Sequence, residues 1–259
     1  MKRRTSQLEV FEYLSQELNL EVDLVSWEGN SPLHSASRRA TPELLDFFIT
    51  KGVSVNQIDE NGNTALINSV SGKTDNVKKI IPHIKNINHQ NKEGHSALTI
   101  AVKRRKKENF DLLIEHQADL NVQDTEGNNL LYYAFEAHTE GKEEITDYII
   151  NKNLTANVKG SHAYINGNTL AHIAIKKQSL FLLEKAIEIG VDINQKNDLE
   201  LSPLHLAALK AKNEKLLSTL LNHGADKQLL TQFNESAYDL ASQNELLEKG
   251  KVSLSFLKN

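Results

Sequence analysis

The 259-residue sequence has no cysteine, one methionine, four prolines and only 6% aromatic residues. Without cysteine there is no disulfide framework, no cysteine-ligated zinc or iron–sulfur site, and no thiol nucleophile. That absence suits the cytosol, the default compartment, and does not exclude a periplasm if the chain derives from a longer precursor. No run approaches the ~18 apolar residues of a membrane span. Residues 1–9 are basic and then turn acidic before any apolar stretch of signal-peptide kind. A net charge of −4, from 30 basic and 34 acidic residues, argues against a general nucleic-acid binder. So few aromatics point to a core spread along an array.

What the sequence does have is a period. Ser31-Pro32-Leu33-His34-Ser35-Ala36 returns as Thr64-Ala65-Leu66-Ile67-Asn68-Ser69 and as Ser96-Ala97-Leu98-Thr99-Ile100-Ala101. It returns again at Asn129, Thr169, Ser202 and Ser236, with successive starts separated by 33, 32, 33, 40, 33 and 34 residues. A second echo closes most units, as in Gly52-Val53-Ser54-Val55-Asn56 and Gly190-Val191-Asp192-Ile193-Asn194. Six of the seven starts are Ser or Thr, an N-cap oxygen for a first helix, and Pro32 and Pro203 stand where a missing N–H costs nothing. The Leu and Ala positions that follow give a small apolar face. Larger apolar residues at helical spacing, such as Leu44, Leu45, Phe47 and Phe48, mark a second helix. Gly52, Gly190 and Gly224 fit helix C-caps, and Gly29, Gly62, Gly94, Gly127 and Gly167 fit turns between units. One such unit cannot bury its own apolar face, so neighbours must stack.

These residues resemble the ankyrin-repeat family, whose unit reads G-x-T-P-L-H-x-A-A followed by L-L-x-x-G-A-D-V-N. The resemblance implies an all-α fold with short β-turn fingers, an ankyrin-repeat α-solenoid, spanning residues 1–259. Its expected divisions are a partial repeat at 1–28, repeats at 29–61, 62–93, 94–126, 127–166, 167–199 and 200–233, and a C-terminal cap at 234–259. It further implies that His34, His172 and His205 are structural imidazoles bonded to neighbouring turn backbone. Many Asn, Lys and Ile in loosely matched repeats give the chain the style of a bacterial member.

The edges and one repeat depart from the pattern. Residues 9–30 match only the second half of a unit, and Phe11, Tyr13 and Leu14 do not look like a polar cap. The chain is therefore expected to be the C-terminal part of a longer array or to pack its N-terminal edge on another protein. The last unit, with Asp239 in the His slot, reads as a solvated terminal cap with a polar tail. The fourth repeat carries insertions near residues 137–141 and 159–164, and solenoid insertions map to one face.

Ten histidines show no metal-binding pair at i, i+4 with a glutamate between, and no nucleophile elbow or phosphate loop is present. The reading is a non-catalytic scaffold with no catalytic residue, metal or cofactor, which binds a protein partner on its finger and inner-helix surface. The alternative is a structural fragment of a larger array that supports assembly or a neighbouring domain. Candidate contact residues are Trp27, Arg38, Arg39, Lys103, Arg104, Tyr133, Tyr164, Ile165, Lys176, Lys177, Leu199, Leu201 and Phe233. The basic ones lie just after the repeated Ala and would form a ridge attracting an acidic partner, facing finger acids such as Asp59, Glu93 and Asp124. No nucleic acid or membrane insertion is expected, and the chain should be a monomer unless its N-terminal edge pairs.

Overall fold

The computed structural model describes residues 7–17, 21–22, 24–152 and 167–258. Among these residues lie fifteen α-helices, short turns and no extended sheet. Three isolated antiparallel bridges, Ile58 with Thr64, Gln90 with Ser96 and Leu230 with Ser236, mark the finger hairpins. The chain forms two compact units, Met1–Thr125 and Glu126–Asn259.

The first unit opens with α1 (Gln7–Glu17) and continues with three helix pairs. These are α2 (Pro32–Ser37) with α3 (Pro42–Thr50), α4 (Ala65–Ser69) with α5 (Thr74–Ile80), and α6 (Ala97–Lys103) with α7 (Lys107–Glu115). First helices pack on first helices (α2 on α4, α4 on α6), and second helices on second helices (α3 on α5, α5 on α7). Ala65, Ala97 and Ala101 are fully buried on the first helices, so backbones approach closely, while Leu45, Phe48, Ile80, Phe110 and Leu113 fill the space between second helices. Burying side chains of that size contributes about 1.5–3 kcal/mol each. Helix α1 packs on α3 through Phe11, whose ring meets Phe48 edge-on at 5.1 Å. Leu14 is half-buried, and Tyr13 is exposed.

The second unit repeats the scheme with α8 (Leu130–Ala137) and α9 (Glu144–Asn151), α10 (Leu170–Lys176) and α11 (Leu180–Glu188), α12 (Pro203–Lys210) and α13 (Lys215–Asn222), and α14 (Ala237–Ser242) and α15 (Glu245–Lys249). Ala171, Ala174, Ala207 and Ala208 form its small-residue seam. The residues after α15 are not merely a polar tail. A 3₁₀ turn, Ser255–Leu257, returns Leu257 to the core at 2% exposure, and the Lys258 carbonyl accepts from Lys227 Nζ. The insertion expected at 159–164 lies outside the described residues, as do Tyr164 and Ile165.

Candidate functional site

Each first helix begins at a side-chain oxygen. Ser31, Thr64, Ser96, Asn129, Thr169, Ser202 and Ser236 all stand at N-caps in extended backbone. Where the third helical residue is His, the imidazole has two roles. Nδ1 of His172 accepts the Thr169 N–H at 3.1 Å, which leaves the ring proton on Nε2 to donate to the Leu201 carbonyl one repeat later at 2.9 Å. His34 does the same between the Ser31 N–H and the Asn63 carbonyl, and His205 between the Ser202 N–H and the Leu229 carbonyl. Burial pulls His172 down to about 4 and also lowers His205. Both are therefore neutral structural groups at neutral pH. Asp239 keeps the local half of this arrangement, accepting from Ser236 N–H and hydroxyl at 2.9 and 2.6 Å.

The fingers are shaped by one oxygen each. Asp59 Oδ1 accepts the N–H groups of Asn61 and Asn63, Asn91 Oδ1 those of Glu93 and His95, and Asn197 Oδ1 those of Leu199 and Leu201. Successive fingers in the first unit are tied by backbone bonds, Glu60 N–H to Glu28 O at 2.9 Å, Lys92 to Asn61 at 3.0 Å and Thr125 to Glu93 at 3.1 Å. This proximity demands glycine at the tip. A Cβ on Gly94, whose φ is +80°, would fall 2.6 Å from the Asp124 Cα.

This geometry sorts the predicted contact residues. Trp27 stands at a finger turn, 89% exposed, and Leu199 and Phe233 share a register position on two fingers of the second unit, 59% and 73% exposed. Leu201 is half-buried, and its backbone serves the finger and His172. Tyr133 requires correction. It is 8% exposed and stacks edge-on with Tyr132 at 5.2 Å, so it belongs to the core and offers no contact surface. Lys176 is exposed. Lys177 is engaged by Glu136, through both its carboxylate, at 3.6 Å, and its carbonyl. Lys103 Nζ lies 3.1 Å from His95 Nε2, with Glu93 at 2.8 Å from Nδ1 and Asp124 at 3.9 Å from Nε2. His95 is lowered by its burial and by Lys103. Part of the expected acidic finger ridge is thus structural: Asp59 is spent on its own turn, and Asp124 is buried beside His95.

The remaining basic residues converge. Arg38, Arg39 and Arg104 line a groove of about 560 Å³ in the first unit with His34, Ser35, Asn63, Ile67, Asn68, Ser71 and Ile100. Arg38 and Arg104 are the C-cap residues of α2 and α6. All three residues are exposed, and among the described residues none has a carboxylate within 4 Å. A feature missed in the sequence lies at the start of second helices in both units. Asn76 Nδ2 donates to the Ser37 and Ala40 carbonyls at 2.9 and 3.1 Å, Asn109 to Val70 at 2.8 Å, and Asn244 to Ala208 and Ala211 at 2.9 and 3.0 Å. Each clamps the end of the preceding repeat's first helix. The signal was available as an Asn at the start of second helices.

Comparison with known proteins bears on the same architecture. A family model described as "Ankyrin repeats (3 copies)" matches residues 3–91, 69–160 and 135–231. The chain belongs to the ankyrin-repeat family. Its helical ankyrin solenoid fold is also that of the crystal structure of the human ASB11 ankyrin repeat domain. That match has a TM-score of 0.70 and 21% identity, and covers 89% of this chain and 99% of the other. Among curated proteins, the nuclear factor NF-kappa-B p105 subunit of Rattus norvegicus is 34% identical over 84 residues. The match covers 30% of this chain and 8% of that relative's length. Ankyrin repeats are generally protein–protein interaction modules, and no catalytic family is indicated.

Proposed function

We propose that the chain is a non-catalytic protein-binding module that engages its partner on the finger and inner-helix surface. The observation that carries this reading is the division of labour within the repeat. Caps, imidazoles, finger oxygens and asparagine clamps are consumed by stacking, whereas Arg38, Arg39 and Arg104 take no such part. Exposed Trp27, Leu199 and Phe233 add apolar anchors on finger turns, and aromatic and Arg side chains are the groups in which binding energy concentrates.

The test is hydrogen exchange on a purified complex with a partner captured from the host of origin. Protection should fall on the fingers and on α2, α4 and α6. Protection confined to α3, α5 and α7 would place the contact on the opposite side and end this reading.

A further inference from the structure

The groove of the first unit has a composition that selects its occupant. Its lining holds three guanidinium groups and no carboxylate. His34 brings no free ring nitrogen, since both are spent on Ser31 and Asn63. Ser35, Asn68 and Ser71 supply neutral hydrogen-bonding groups, and Ile67 and Ile100 supply an apolar floor. No Phe, Tyr or Trp ring lines it on which a nucleobase could stack, and the His34 ring is buried. Guanidinium forks bind carboxylates and phosphoryl groups bidentately. A site with cationic ends, amide and hydroxyl walls and an aliphatic floor fits a peptide better than a nucleic acid.

Resting on the protein-binding reading above, we infer that this groove takes an extended peptide segment with anionic side chains toward both ends, carboxylate or phosphoryl, one gripped by Arg38 and Arg39 and another by Arg104. The spacing follows from the stack. Helices α2, α4 and α6 succeed one another, and packed helices lie about 8–10 Å apart, so the ends bearing Arg38 and Arg104 are roughly 16–20 Å apart. An extended chain advances about 3.3 Å per residue, which makes the segment about five or six residues long with small or aliphatic residues in the middle.

The experiment is fluorescence anisotropy of the full chain with a labelled six-residue peptide, Glu-Glu-Ala-Ala-Glu-Glu. Parallel arms replace Glu by Gln, by Lys or by phosphoserine, and a further arm uses a single-stranded oligonucleotide. The Glu peptide should bind and the Gln and Lys peptides should not. Affinity should fall at least tenfold between low and several-hundred-millimolar salt. Arg38→Gln and Arg104→Gln should each weaken binding about fivefold, as expected for a solvent-exposed ion pair, with an unchanged urea midpoint. Tighter binding of the phosphoserine peptide, lost in the same variants, supports the site and assigns phosphoryl as its anion. Equal binding of the Gln peptide, tighter binding of the oligonucleotide, or no binding of either anionic peptide at millimolar concentration overturns the inference. A captured partner that protects α2, α4 and α6 while the anionic peptides fail would sink this inference and leave the protein-binding reading intact.

Discussion

Removing the His172 side chain tests the reading of the repeat at a fully buried polar link. The ring is fully shielded and holds two backbone groups, the Thr169 N–H and the Leu201 carbonyl. Replacement by Ala leaves both unpaired, at a cost of about 2–3 kcal/mol at pH 7. The pH dependence is the sharper part. Burial holds the folded-state value at about 4, below the ordinary 6.5. The unfolded chain therefore binds the proton first, and the stability owed to the neutral ring is complete above pH 6.5 and lost as pH falls toward 4. Between pH 7 and pH 5 the loss from this residue is about 2 kcal/mol. In His172→Ala that loss is gone. The stability gap between the native chain and the variant should thus shrink by about 2 kcal/mol over this interval, measured by urea unfolding followed by circular dichroism. His205, shifted the same way, remains in both proteins and cancels. An equal gap at the two pH values would show that His172 does not change its charge preference on folding, and the argument would fail.

Two further outcomes follow from the backbone. Gly94→Ala forces a Cβ against the Asp124 main chain at a φ of +80°, and should destabilise by about 3 kcal/mol, read as a lowered urea midpoint. Conversely, Gln117 follows the C-cap of α7 at φ +61°, where other units place Gly52, Gly190 and Gly224, and the residue is exposed. Gln117→Gly should stabilise the chain by about 0.5–1 kcal/mol, and a lowered midpoint would contradict the left-handed assignment.

The helices, their caps and the finger glycines were legible because each rests on local chemistry: a hydroxyl before a helix, a left-handed turn, an alternation of small and large apolar residues. Gly29, Gly62, Gly94, Gly127 and Gly167 all have positive φ, as the repeat register required. What the sequence does not show is which neighbours each side chain meets once the repeats have folded and stacked. Tyr133 looked like a surface anchor because it lies on a first helix rich in aromatics, yet that helix buries Leu130 through Phe135. Lys177 and Lys103 belong by sequence to a basic ridge, yet Glu136 and His95 stand beside them. Asp59 counted as finger charge although its carboxylate closes its own turn. The asparagine clamps leave one trace in the sequence, an Asn at the start of second helices, but their acceptors do not show there, since Asn76 finds its own in a different repeat.

The imidazole links carry a consequence for how such a surface diversifies. His34, His172 and His205 each reach forward to a main-chain oxygen, and the residues supplying it are Asn63, Leu201 and Leu229. A carbonyl is common to every amino acid, so the imidazole link itself makes no demand on the recipient's side chain. Mechanical continuity is written on one strand of the joint, and molecular recognition is free to be rewritten on the other.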